Sequence, residues 1–70
     1  MSKDLPIIAR KIKKYRNELG ISQDKLSKLA DITFHTIAKI ESGSTSNPGI
    51  ETVMKIASAL NVSLDDLTKE

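Results

Sequence analysis

The stretch from Ser22 to Gly43, SQDKLSKLADITFHTIAKIESG, leaves the chain few ways to fold. Ser22 is suited to cap a helix, because its hydroxyl can accept from the backbone N–H groups that open the first turn. Leu26, Leu29 and Ala30 then recur at helical spacing and give one apolar face. Asp31-Ile32-Thr33 interrupts the run. Aspartate tolerates left-handed backbone better than most residues, and Thr33 is a second N-cap. Ile37, Ala38 and Ile40 supply the buried face of a second helix, which Gly43 stops. Two short helices joined by a sharp corner are therefore expected. The opposite face of the second carries Phe34, His35, Thr36 and Lys39, which should point outward. An exposed Phe and His at a helix start suggest that this end of the helix recognises a surface.

The rest of the chain bounds the possibilities. Seventy residues make one domain, residues 1–70, with a small core. There is no cysteine, so neither disulfides nor thiolate metal sites contribute. No apolar run is long enough to span a membrane, and MSKDLPIIARKIKK lacks a signal-peptide core. Cytoplasm is the expected setting. The net charge of +2 is unevenly spread. The first forty residues hold nine Lys and Arg against four Asp and Glu, and the last thirty hold two against five. That asymmetry suits a protein that faces phosphates on one side. For Lys11, Lys13 and Lys14 taken singly, a solvated helix face is the simpler reading. An enzyme is not expected. One histidine, no glycine-rich phosphate loop and no paired-carboxylate cleft leave little catalytic chemistry, and a lone histidine makes no metal site. No cofactor is implied.

In chain order, Asp4 to Leu19 reads as a first helix, with Asp4 as its cap and Pro6 in its first turn, where the missing N–H costs little. Ile8, Ile12, Tyr15 and Leu19 mark its buried face, and Gly20 ends it. Ile21 is expected to pack inward. Ser42 to Gly49, SGSTSNPG, is a polar turn-rich loop. Ile50 to Leu60 forms a fourth helix whose apolar stripe, Ile50, Val53, Met54, Ile56, Ala57 and Leu60, exceeds what the core alone needs. Asn61 is its stop. Ser63 caps a last short helix with Asp65 and Asp66 in its first turn.

The Ser22–Gly43 stretch resembles the helix-turn-helix of the phage-repressor/Cro-type (XRE-like) transcription regulators. Gln23, Glu41, Gly43, Pro48 and the terminal VSLDDL stand at family spacing, and the similarity runs from about Ile8 to Leu67. The resemblance implies an all-α, five-helix lambda-repressor-like domain, with the helix-turn-helix at residues 22–42 and C-terminal helices over 50–69. It implies a sequence-specific regulator of double-stranded DNA, such as a restriction–modification controller or a phage-type repressor. The second helix of that motif enters the major groove and its N-terminal residues reach base edges.

The resemblance also assigns candidate roles. Phe34, His35 and Lys39 fall at base-reading positions, and Thr36 at a base or phosphate contact. Lys39 could donate to guanine O6/N7, and Phe34 could touch thymine methyls. Phe34 departs from the polar residues commoner there, and its alternative is a ring folded back onto the preceding helix. Asp31 departs from a frequent glycine. Gln23, Thr33, Ser44, Thr45, Ser46 and Asn47 are the phosphate candidates; ordinary loop chemistry would use the same residue types. Arg16 and Glu41 form an expected structural ion pair. Leu60, Val62, Leu64 and Leu67 are candidates for a two-fold homodimer interface, or else all belong to a monomer's core. A second class of function stays open: a protein-interaction module, such as an antitoxin, whose C-terminal apolar surface binds a partner.

Overall fold

The computed structural model describes residues 5–45 and 47–69. Within them the chain forms α1 (Ile7–Leu19), α2 (Gln23–Ala30), α3 (Phe34–Ser42), α4 (Ile50–Leu60) and α5 (Leu64–Thr68), and no strand. The turn chemistry explains the boundaries. Ser22, Thr33 and Ser63 each accept a backbone N–H from three residues on. Gly20, Asp31, Gly43 and Asn61 close the first four helices in left-handed conformations. Asp31, with φ of 59°, takes the backbone shape expected of it without glycine's freedom.

The first helix starts later than expected. Pro6 is its N-cap rather than a first-turn residue, with an extended ψ of 151°. Its carbonyl opens the helix by accepting from Ala9 and Arg10 at 3.0 and 3.2 Å. Proline also disfavours helical backbone in the residue before it, which keeps Leu5 outside. The expected cap, Asp4, lies outside the described residues.

The core is a single cluster in which every helix takes part. Ile8 and Ile12 of α1, Leu26 and Ala30 of α2, Ile37 and Ile40 of α3, and Val53, Ile56, Ala57 and Leu60 of α4 surround Leu67 of α5. Tyr15, Ile21, Ile32, Val62 and Leu64 pack half-buried against it. So Tyr15 packs against the core from the buried side of α1, as its spacing implied. The inner faces of α1 and α2 meet α3 from behind, which leaves its outer edge uncovered.

Two apolar residues expected inside, Leu19 and Leu29, are exposed, and Ile50 and Met54 are the part of the broad α4 stripe that the core leaves over. In α2 the buried stripe is Leu26, Ser27 and Ala30 rather than Leu26, Leu29 and Ala30. Ser27 can occupy the inner position because its hydroxyl donates to the Asp24 carbonyl at 2.7 Å, so its burial strands no polar group. In α4, Ile50 and Met54 lie on a stripe one step round from Val53, Ile56, Ala57 and Leu60. At the C-terminus, Leu60 and Leu67 are spent on the core, Leu67 completely. They cannot serve as interface side chains, because a surface must be left over after the core closes. Val62 and Leu64 remain half-buried.

Candidate nucleic-acid interface

The outer edge of α3 begins at its cap. Thr33 Oγ1 accepts from the Thr36 N–H at 3.1 Å and lies 2.8 Å from Thr36 Oγ1. Phe34 is 49% exposed, so about half of its surface is left open to solvent. His35 and Lys39 are exposed and Thr36 is half-buried. His35, Thr36 and Lys39 share the wall of one shallow cleft with Ile40, Thr45, Pro48, Gly49 and Thr52. Phe34 stands outside that lining.

The back of α3 is fixed by charge as well as by Ile37 and Ile40. Glu41 is 2% exposed and accepts three side-chain hydrogen bonds. Arg16 Nε and Nη2 donate to its two carboxylate oxygens at 2.8 and 3.0 Å, a two-pronged grip. Gln23 Nε2 donates to Oε1 at 3.0 Å. The remaining reach of Arg16, through Nη1, goes to the Ile21 carbonyl at 2.9 Å. The Glu41 hydrogen bonds push the Arg16 guanidinium further above its ordinary value. No buried side-chain polar atom among the described residues lacks a partner. The expected ion pair is therefore present. Gln23 braces it from the first residue of α2, so α1, α2 and the last turn of α3 are tied at one point.

The described loop candidates do not sit together. Thr45 reaches the cleft, and its N–H donates to the Lys39 carbonyl at 3.2 Å. Ser44 is turned back on the end of α3: its N–H donates to Ser42 Oγ at 3.3 Å, and the two hydroxyl oxygens lie 3.0 Å apart. Asn47 lines a separate apolar hollow with Pro6, Ile7, Pro48, Ile50 and Thr68. Ser46 lies outside the described residues.

Pro48, Gly49 and Thr52 were not among the sequence candidates, yet they complete the cleft. Gly49 is the N-cap of α4 and has no side chain to accept from its first-turn amides. The sequence signal was the expected start of this helix at Ile50, because helix starts offer N–H groups to anions. Among the described residues no cluster of His, Cys, Asp or Glu is arranged to hold a metal, and no helix is long and apolar enough to cross a membrane.

A helix-turn-helix family model, HTH_3, matches residues 12–67. The transcriptional regulator SinR of Bacillus subtilis is 33% identical over 64 residues, 91% of this chain, and the chain spans 58% of that relative's length. The solved N-terminal DNA binding domain of SinR superposes with a TM-score of 0.88 at 33% identity, covering 91% of this chain and 93% of that one. SinR has also been solved in complex with DNA, where the TM-score is 0.83 at 33% identity and the shares are 86% and 95%. In the complex of SinR with the SinI protein the TM-score is 0.86 at 33% identity, over 90% and 61%. The P22 c2 repressor bound to a synthetic operator gives 0.81 at 28% identity, over 96% and 97%. The restriction-modification controller protein C.AhdI of Aeromonas hydrophila shares the fold, with a TM-score of 0.81 at 23% identity over 86% and 89%.

Proposed function

The chain belongs to the helix-turn-helix family of DNA-binding transcriptional regulators, and from that premise we propose that it reads a specific duplex sequence with the outer edge of α3. The observation that carries this is the division of α3 itself: Ile37, Ile40 and Glu41 are locked into the fold, while His35, Thr36 and Lys39 stand together on one open cleft. In this reading Lys39 would donate to guanine O6 and N7, His35 would meet a base or phosphate, and Phe34 would cover thymine methyls. Thr33, Thr45 and the amides opening α4 would meet phosphates, which position a protein without reading sequence. Gln23 would add a phosphate contact from α2 while keeping Glu41 in place. SinR and the P22 c2 repressor have each been solved on DNA, which supports the same use of this fold here.

The protein acts in this reading as a cytoplasmic homodimer on a pseudo-palindromic operator, with two copies of α3 in successive major grooves roughly 34 Å apart. It has no enzymatic step; occupancy of the site is the regulatory event. The dimer would use what the core leaves uncovered: Val62 and Leu64, with Ile50 and Met54 on α4. The same exposed α4 residues favour a second reading, in which this surface binds a different protein and DNA binding is secondary; SinR has been solved with such a protein, SinI.

Titration against a selected and a scrambled duplex at two salt concentrations separates the two. A DNA reader prefers the selected duplex and loses affinity steeply with salt, because each neutralised phosphate releases counterions. A pure interaction module shows no preference and little salt slope.

A further inference from the structure

We propose that the Thr33–Thr36 hydroxyl pair fixes the hydrogen-bonding sign of Thr36, so that Thr36 meets a base as an acceptor and selects an amino group, adenine N6 or cytosine N4. The inference rests on the reading that α3 enters the major groove with Thr33 on a phosphate.

A hydroxyl has one hydrogen to donate and two lone pairs. One lone pair of Thr33 Oγ1 is occupied by the Thr36 N–H at 3.1 Å. The two hydroxyl oxygens are 2.8 Å apart, so one hydrogen lies between them, and either oxygen can own it. If it belongs to Thr33, the Thr36 hydrogen is free to donate outward. If it belongs to Thr36, the Thr33 hydrogen is free instead. The pair therefore offers one outward donor, at one end or the other.

Phosphate decides which. Its oxygens only accept, so a phosphate at the exposed cap draws out the Thr33 hydrogen. Thr33 is then saturated: it donates to the phosphate and accepts from both the N–H and the O–H of Thr36. Thr36 has spent its own hydrogen and turns only lone pairs toward the cleft it shares with His35 and Lys39. In the major groove guanine shows N7 and O6 and thymine shows O4, all acceptors, whereas adenine N6 and cytosine N4 donate. An acceptor-only hydroxyl can bond to the second pair and not to the first. The neighbouring Lys39 is a donor only, so the two side chains read opposite chemistry from one helix edge.

Every base pair carries one amino and one keto group in the major groove, so the test removes these groups one at a time. Wild type, Thr36→Val and Thr36→Ser are titrated against an operator obtained by selection. Val keeps the shape of Thr36 and deletes its hydroxyl. At the position whose preference Thr36→Val flattens, adenine is replaced by purine or cytosine by 2-pyrimidinone, which deletes the amino group. In parallel the keto oxygen opposite is deleted, with 5-methyl-2-pyrimidinone for thymine, which keeps the methyl group, or 2-aminopurine for guanine. Amino deletion should weaken wild type roughly three- to tenfold, the range for one net hydrogen bond. It should weaken Thr36→Val far less, since the partner is already gone, and Thr36→Ser should restore the wild-type response. Melting temperatures of the three proteins should stay close, which separates lost recognition from lost structure. The inference is overturned if Thr36→Val leaves all positional preferences intact, or if the keto deletion is the one whose cost disappears in Thr36→Val. A wild-type protein with no preference at any position overturns the major-groove reading itself, and this inference with it.

Discussion

Glu41 is a charged side chain in the interior of a seventy-residue domain, held by three N–H donors from two other helices. A buried pair of this kind adds little net stability over an apolar substitute, but removing one partner strands the other. Glu41→Ala leaves the part-buried Arg16 guanidinium and the Gln23 amide without their acceptor. The expected cost is roughly 3–5 kcal/mol, a large part of what holds any domain of this size together. Thermal denaturation measures it, and an unchanged midpoint would show that the triad carries no load. The Arg16–Glu41 pair was legible in the sequence only through the family resemblance; nothing in the spacing of two charges twenty-five residues apart declares that they meet. Ser27 was legible to neither route. A serine reads as polar, and its burial follows only once its own carbonyl partner three residues back is seen to satisfy it.

At the scale of elements, periodicity identified the number, order and kind of the helices, and the caps at Ser22, Thr33 and Ser63 fixed three of the starts. It erred on Leu19 and Leu29, and could not say which residues of the α4 stripe would be left over, because spacing assigns a residue to a face and does not say how far the neighbouring helices extend over it. The last helix shows what five residues need in order to hold a helix at all. Isolated, so short a helix does not persist. Here Leu67 anchors it in the core, and Ser63 and Asp66 exchange bonds, each accepting the other's N–H at 3.0 Å. The Ser63 backbone N–H, with help from the Ser63 side chain and from the charges of Lys11 and Lys14, holds the Asp66 carboxyl below its ordinary value. A depressed carboxylate stabilises the folded state at pH above its unfolded value, and that contribution is lost as pH falls through the folded one. Asp66→Ala should therefore melt below wild type at neutral pH, and the gap should close as the pH drops beneath the usual carboxylate range. A gap of constant size across that window would mean that the aspartate acts through packing rather than charge.

Over the whole molecule the charge asymmetry of the sequence turns out to be divided. Lys14 stands beside Glu18 at 4.0 Å and over the Tyr15 ring, and Lys11 and Lys14 lie close enough to Asp66 to act on it. These lysines serve α1 and its meeting with α5, which is the solvated-face reading. His35 and Lys39 are on the other account, at the cleft of α3. The candidate site was thus legible along α3, where capping and apolar spacing dictate which side chains are left outside. It was only half legible in the loop: composition offered Ser44, Thr45, Ser46 and Asn47 alike, but backbone direction brings Thr45 to the cleft and sends Asn47 to the far side of Pro48.

Selection of bound sequences from a random duplex pool, with the protein in homogeneous form, addresses the use of α3 most directly. If its outer edge reads bases as a pair of copies, the enriched duplexes carry two inverted half-sites with centres about one helical turn apart, roughly 10 base pairs, and Thr36→Val or Lys39→Ala alters the enriched bases rather than the spacing. A pool that returns no motif, or one that those substitutions leave untouched, contradicts the account.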